Sequence, residues 1–95
     1  MNVFVVNCGS SSLKYQLIDA QSEVVMAKGL CERIGTDGSR IVFKPACGKK
    51  SGEKITIEAP MPDHTNAIRM VLDCLVNEDY GVIRSLDEIG AIGHR

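Results

Sequence analysis

Apolar residues run unbroken through Val3-Phe4-Val5-Val6 and then give way to Asn7-Cys8-Gly9. A short continuous run of β-formers predicts a strand buried on both faces. The triplet Ser10-Ser11-Ser12 predicts a turn. After it, Leu13, Tyr15 and Leu17 alternate with Lys14 and Gln16, a period of two that marks a second strand over Leu13–Ile18. Asp19-Ala20-Gln21-Ser22 reads as a turn and Val24 to Arg33 as a third strand. The Asp37-Gly38 pair within Gly35–Ser39 is a hairpin signal, because both residue types tolerate positive φ. Ile41-Val42-Phe43 and Ile55-Thr56-Ile57 are two more short strands, separated by the polar loop Gly48-Lys49-Lys50-Ser51-Gly52.

Pro60 and Pro62 end the β pattern, and Asp63 can cap a helix. Ala67, Ile68, Val71, Leu72 and Leu75 share one face at helical spacing, which predicts a helix from about Asp63 to about Glu78, with Gly81 ending the segment. Ile89-Gly90-Ala91-Ile92-Gly93 reads as a last buried strand, followed at once by His94-Arg95. A hydrophobic strand that stops at the final residue predicts a chain cut within an element, since finished domains usually end on a polar tail.

Composition narrows the class. The chain has 95 residues, enough for one small domain. Hydrophobic residues make up 44% and charged residues 24%, as in an ordinary soluble domain. With two Phe, two Tyr and no Trp, the core must rest on Val, Ile and Leu. A net charge of −1 gives no basic excess for nucleic acid or an anionic membrane. Cys8, Cys31, Cys47 and Cys74 form no CxxC pair, and neither His64 nor His94 stands at zinc-ligand spacing from them, so scattered reduced thiols are expected. The opening apolar run lacks a basic leader and is too short for a signal peptide or a span, which reads as cytoplasmic.

The segment Asn7-Cys8-Gly9-Ser10-Ser11-Ser12-Leu13-Lys14 carries the candidate chemistry. Gly9 lets a ligand come close to the backbone. The hydroxyls of Ser10 and Ser12 and the turn amides supply donors suited to phosphate oxygens, and Lys14 adds a charge that pairs with phosphate. Asn7 offers an oxygen of the kind Mg²⁺ prefers. The segment is not a Walker A loop, because the second Gly is missing and a strand follows. The Rossmann fingerprint G-x-G-x-x-G is absent too. On these residues alone, a Ser-rich hairpin turn without a ligand stands as an equal reading.

Val5 to Ile18 resembles the opening signature of the acetate kinases, of the form N-x-G-S-S-S-x-K. Ala27-Lys28-Gly29-Leu30-Cys31-Glu32-Arg33-Ile34-Gly35, Pro62-Asp63-His64 and Ile89-Gly90-Ala91-Ile92-Gly93-His94-Arg95 resemble later blocks of that family in the same order. The resemblance covers the chain from end to end. It implies an α/β fold of the sugar kinase, Hsp70 and actin superfamily: a ribonuclease-H-like β-β-β-α-β core with extra hairpin strands. Residues 1–95 would be the incomplete N-terminal part of an actin-like kinase domain.

The same resemblance implies the roles. Asn7 lies near Mg²⁺, Lys14 near ATP, and Ser10 and Ser12 in the phosphate loop, while Arg95 binds the substrate carboxylate. An Arg suits that task because its planar fork bonds both carboxylate oxygens. The implied reaction is reversible transfer of the γ-phosphoryl of ATP to acetate, giving acetyl phosphate and ADP, by an enzyme that is a homodimer at full length. The family's catalytic Asp, His and Arg and its magnesium Glu lie beyond Arg95, so no catalytic residue falls in this chain and the isolated piece is expected to be inactive. The alternatives are a propionate kinase, or a non-catalytic truncated module that binds nucleotide weakly or not at all. His64 is expected near a helix start and His94 in a supporting place.

Overall fold

The computed structural model describes residues 1–94. Five strands come first: β1 (Asn2–Cys8), β2 (Leu13–Asp19), β3 (Val24–Glu32), β4 (Arg40–Pro45) and β5 (Ile55–Glu58). A helix, α1 (His64–Leu75), a single 3-10 turn (Leu86–Glu88) and a sixth strand, β6 (Ile89–His94), follow. The strands form one sheet in the order β5-β4-β3-β2-β1-β6. Neighbours from β1 through β5 are antiparallel, whereas β6 lies parallel to β1. A parallel neighbour requires a crossover, and α1 lies within it. Set aside the β4–β5 hairpin and the order is β-β-β-α-β, as the resemblance implied.

One face of the sheet carries the core. Phe4 and Val6 from β1, Leu13, Tyr15 and Leu17 from β2, and Ile41 and Phe43 from β4 are buried with Ala67, Val71 and Leu75 of α1. The alternation of β2 is therefore an alternation of core and solvent. Asp63 starts the helix, its carboxylate accepting the Asn66 N–H at 2.8 Å.

Three expectations need correcting. β1 is not buried on both faces, because Val3 and Val5 are only half-buried opposite the core side. β6 is not buried either: Ala91 is exposed and Ile92 is 59% exposed. It is the edge of the sheet and bonds only β1 among the described residues. The helix stops at Leu75 rather than about Glu78. Asn77 diverts the chain there, its Oδ1 accepting the N–H groups of Asp79 and Tyr80. The 3-10 turn was not foreseen, although Ser85 and Glu88 form a capping box around it.

Tyr15 ties three strands together. Its ring lies over Gly29 of β3, and its hydroxyl donates to the Val42 carbonyl of β4 at 2.7 Å. A Cβ at Gly29 would lie 1.9 Å from that carbonyl oxygen and 2.6 Å from the Tyr15 hydroxyl. Phe4, Tyr15, Phe43 and Tyr80 continue the contact through the core, with ring centroids 6.2, 6.5 and 5.6 Å apart. Burial drives the Tyr15 hydroxyl pKa far above its ordinary value, so it remains a donor.

Tyr15→Phe is expected to cost about 1 kcal/mol, the net value of one hydrogen bond. Gly29→Ala is expected to cost more, because strand backbone must move. Urea unfolding of both variants checks the ranking, and a milder effect for Gly29→Ala contradicts the crossing described above.

Candidate functional site

The turn between β1 and β2 is built from backbone polarity. The Gly9 N–H donates to the Ser12 carbonyl at 2.9 Å and closes the turn. The Ser11 carbonyl accepts the Ile34 N–H, also at 2.9 Å. His64, first residue of α1, reaches in from the core side of the sheet. Its Nε2 lies 2.8 Å from the Gly9 carbonyl oxygen and 3.1 Å from that of Ser12. Carbonyl oxygens only accept, so Nε2 carries the proton. Three of the loop's four carbonyls are thus held by protein donors. The N–H groups of Ser10, Ser11 and Ser12 donate to no group among the described residues. Consecutive free amides in an exposed turn favour an anion.

Gly9 has a steric reason to be glycine. A Cβ there would lie 2.6 Å from the Ser12 hydroxyl oxygen, which is half-buried beside it. Its φ is not in the positive range, so close approach decides the residue type. The nearest group is a Ser of this loop.

Asn7 and Lys14 face each other across the β1–β2 ladder, one pair before the turn. Both are exposed on the sheet face away from the core. With Val5, Gln16 and Lys28 they line a depression of about 280 Å³. Lys28 arrives through the register, since β2 pairs it with Gln16. No ion pair holds Lys14 or Lys28 among the described residues. Asn7 makes no turn-capping bond there either.

The structure therefore brings Asn7 and Lys14 together and sets Ser10 and Ser12 at the adjoining sheet end. Arg95 lies outside the described residues. Among those residues no three His, Cys, Asp or Glu side chains cluster as a metal site. The four cysteines are free, and burial pushes the Cys31 thiol up to about 12, which leaves it an unreactive core group. No described helix is long and apolar enough to cross a membrane. Sequence reasoning placed His64 at a helix start but missed its reach to the loop, and it gave Lys28 no role. The first joins residues 52 and 55 positions apart, which no local pattern signals, and Lys28 needs the strand register.

Comparison with known proteins decides the relationship. The acetokinase family model matches residues 2–95. The chain belongs to the acetokinase family. Curated acetate kinases from Finegoldia magna and Agathobacter rectalis are 58% and 61% identical to it over all 95 residues. The chain spans 23% of the length of each of these relatives. The crystal structure of the Porphyromonas gingivalis acetate kinase superposes with a TM-score of 0.90 at 41% identity, over 99% of this chain and 23% of that one. A propionate kinase from Francisella tularensis superposes at 0.79 with 33% identity, over 99% and 22%. The sheet and helix of this acetokinase segment match the N-terminal part of an acetate kinase domain.

Two expected outcomes follow from the loop and its helix. Gly9→Ala is expected to destabilise the segment, and the loss should shrink in a Ser12→Ala background, where the nearest Cβ contact relaxes from 2.6 to 3.9 Å. A double-mutant cycle reads this coupling, and additive costs contradict it.

The Asn66 backbone N–H holds the Asp63 carboxylate below its ordinary pKa, aided by the Asn66 side chain. A depressed carboxylate stabilises the fold above its unfolded pKa, and that contribution is lost as pH falls through the lowered folded value. Asp63→Asn, which still offers a capping oxygen, should therefore show a shallower fall of melting temperature with acidification. Parallel curves for the two proteins contradict a charged cap.

Proposed function

We propose that residues 1–95 form part of the N-terminal ribonuclease-H-like domain of a kinase that moves the γ-phosphoryl of ATP to acetate, giving acetyl phosphate and ADP, reversibly. The observation that carries this reading is the turn at Gly9–Ser12, with three of its four carbonyls tied back and three amides free, inside an acetokinase sequence. Such a turn attracts phosphate by hydrogen bonding, and Lys14 beside it adds charge. Arg95 holds the acceptor carboxylate in this proposal. Between two anions most of the barrier is electrostatic, so orientation and charge neutralisation are the segment's contribution.

The described residues offer a cation one neutral oxygen at Asn7 and no acidic cluster. That donor set fits Mg²⁺ carried in by the nucleotide phosphates, which keeps several waters and needs few protein ligands. Bound there, Mg²⁺ would screen the phosphate charge. Asn7 would then orient a ligand or a bound water, while Ser10, Ser12 and Lys14 hold phosphate oxygens.

Acetate is favoured over propionate by the higher identity and TM-score of the acetate kinase structure, though the propionate kinase keeps the larger acid in view. The proposal extends to a cytoplasmic, homodimeric enzyme at full length. The 95 residues alone hold one wall of its site.

Trapping acyl phosphate with hydroxylamine tests the reading. The full-length enzyme carrying this segment should form acetyl hydroxamate from ATP and acetate, and the 95-residue piece should form none. Arg95→Ala should raise the acetate KM about tenfold or more, the order for a lost charge-assisted contact, with ATP use less affected. Asn7→Ala should lower turnover and shift its magnesium dependence at an unchanged melting temperature. Early melting with wild-type turnover and magnesium response would instead make Asn7 a turn residue.

A further inference from the structure

We infer that His64 is a positioning residue of the phosphate loop: its Nε2–H forks between the carbonyls of Gly9 and Ser12 and turns them away from the ligand. The inference rests on the phosphate-binding reading of the loop and adds a residue to it. A peptide turn presents carbonyl oxygens as readily as N–H groups, and a carbonyl aimed at a phosphate is repulsive. An anion loop is favoured when its acceptors are held back, and here all but the Ser10 carbonyl have a donor. Here Ile34 takes the Ser11 carbonyl, Gly9 takes that of Ser12, and His64 takes those of Gly9 and Ser12 together, at 2.8 and 3.1 Å.

The Gly9 carbonyl has no other donor among the described residues, so it depends on His64 alone. Its place before Ser10 makes it the acceptor beside the first of the three free amides. A rotation of the Gly9–Ser10 peptide would move both groups at once, replacing a donor by an acceptor. The His64 fork opposes that rotation from a rigid base, because the residue opens α1, whose Ala67 and Val71 are in the core. The fork needs only a proton on Nε2, which the neutral ε-tautomer and the imidazolium both have. The chemistry recognised is that of a polyphosphate, and His64 acts on it through backbone without touching it.

The test uses the full-length enzyme and two variants. H64F keeps ring bulk without a donor, and H64Q keeps an amide N–H near the position of Nε2. H64F is expected to raise the KM for MgATP about tenfold, the order for loss of one well-placed interaction. The KM for acetate should stay within about twofold. H64Q should recover most of the loss. An unchanged MgATP KM in H64F overturns the inference, as does a parallel rise for both substrates or an H64Q enzyme no better than H64F. A wild type without ATP:acetate activity sinks the functional reading instead. The fork is then decided without turnover, by long-range ¹H–¹⁵N correlation of the His64 ring in the nucleotide-free protein. A proton on Nε2 supports the fork and a bare Nε2 refutes it, and the same spectrum decides if H64F fails to fold.

Discussion

The bond from the Tyr15 hydroxyl to the Val42 carbonyl spans β2, β3 and β4 and can form only across a residue with no side chain. It locks the register of three strands at once. A slip of one residue would turn every side chain to the other face and bring a Cβ beneath the ring. Because β2 is fixed to β3 in this way, Lys28 arrives beside Gln16, and because β2 is fixed to β1, Lys14 arrives opposite Asn7. The polar face of the sheet is thus set by an interaction on its apolar face.

The loop obeys a different economy. Its geometry comes from counting donors and acceptors, with most carbonyls drawn inward and the amides left out. With the carbonyls turned outward, the same hydroxyls and charge would surround acceptors instead of donors. The helix α1 enters this account twice. Its apolar face completes the core, and its first residue reaches across to the turn. Core packing and loop geometry are joined in one element, so a change that shifts α1 also shifts the loop.

Much of this was legible in the chain. Leu13–Ile18 announced β2 by alternation, Asp63 announced the start of α1, and the Asn7–Lys14 segment announced the candidate site. The failures have physical causes. Val3–Val6 read as buried on both faces, and Ile89–Gly93 as buried, because apolar runs report affinity for a core without reporting how many layers surround the strand. β1 has α1 and its neighbours on one face only, and β6 is an edge. The helix end was placed too late because Asn77, which diverts the backbone, looks like any polar helix residue until its side chain is seen taking two amides. The reach of His64 joins positions 52 and 55 residues apart, which no local pattern encodes.

The position of β1 also has a meaning in time. Of the six described strands it is made first, yet it lies inside the sheet, and its two neighbours come from very different distances along the chain. β2 is complete at Asp19 and β6 only at His94. At about 5–20 residues per second, a ribosome leaves roughly 4–15 s between the two. Through that interval the open side of β1 presents Val3 to Val6 with unpaired backbone, a surface that invites other strands. The parallel pairing of β1 and β6 therefore cannot form until the other four strands and α1 have been made.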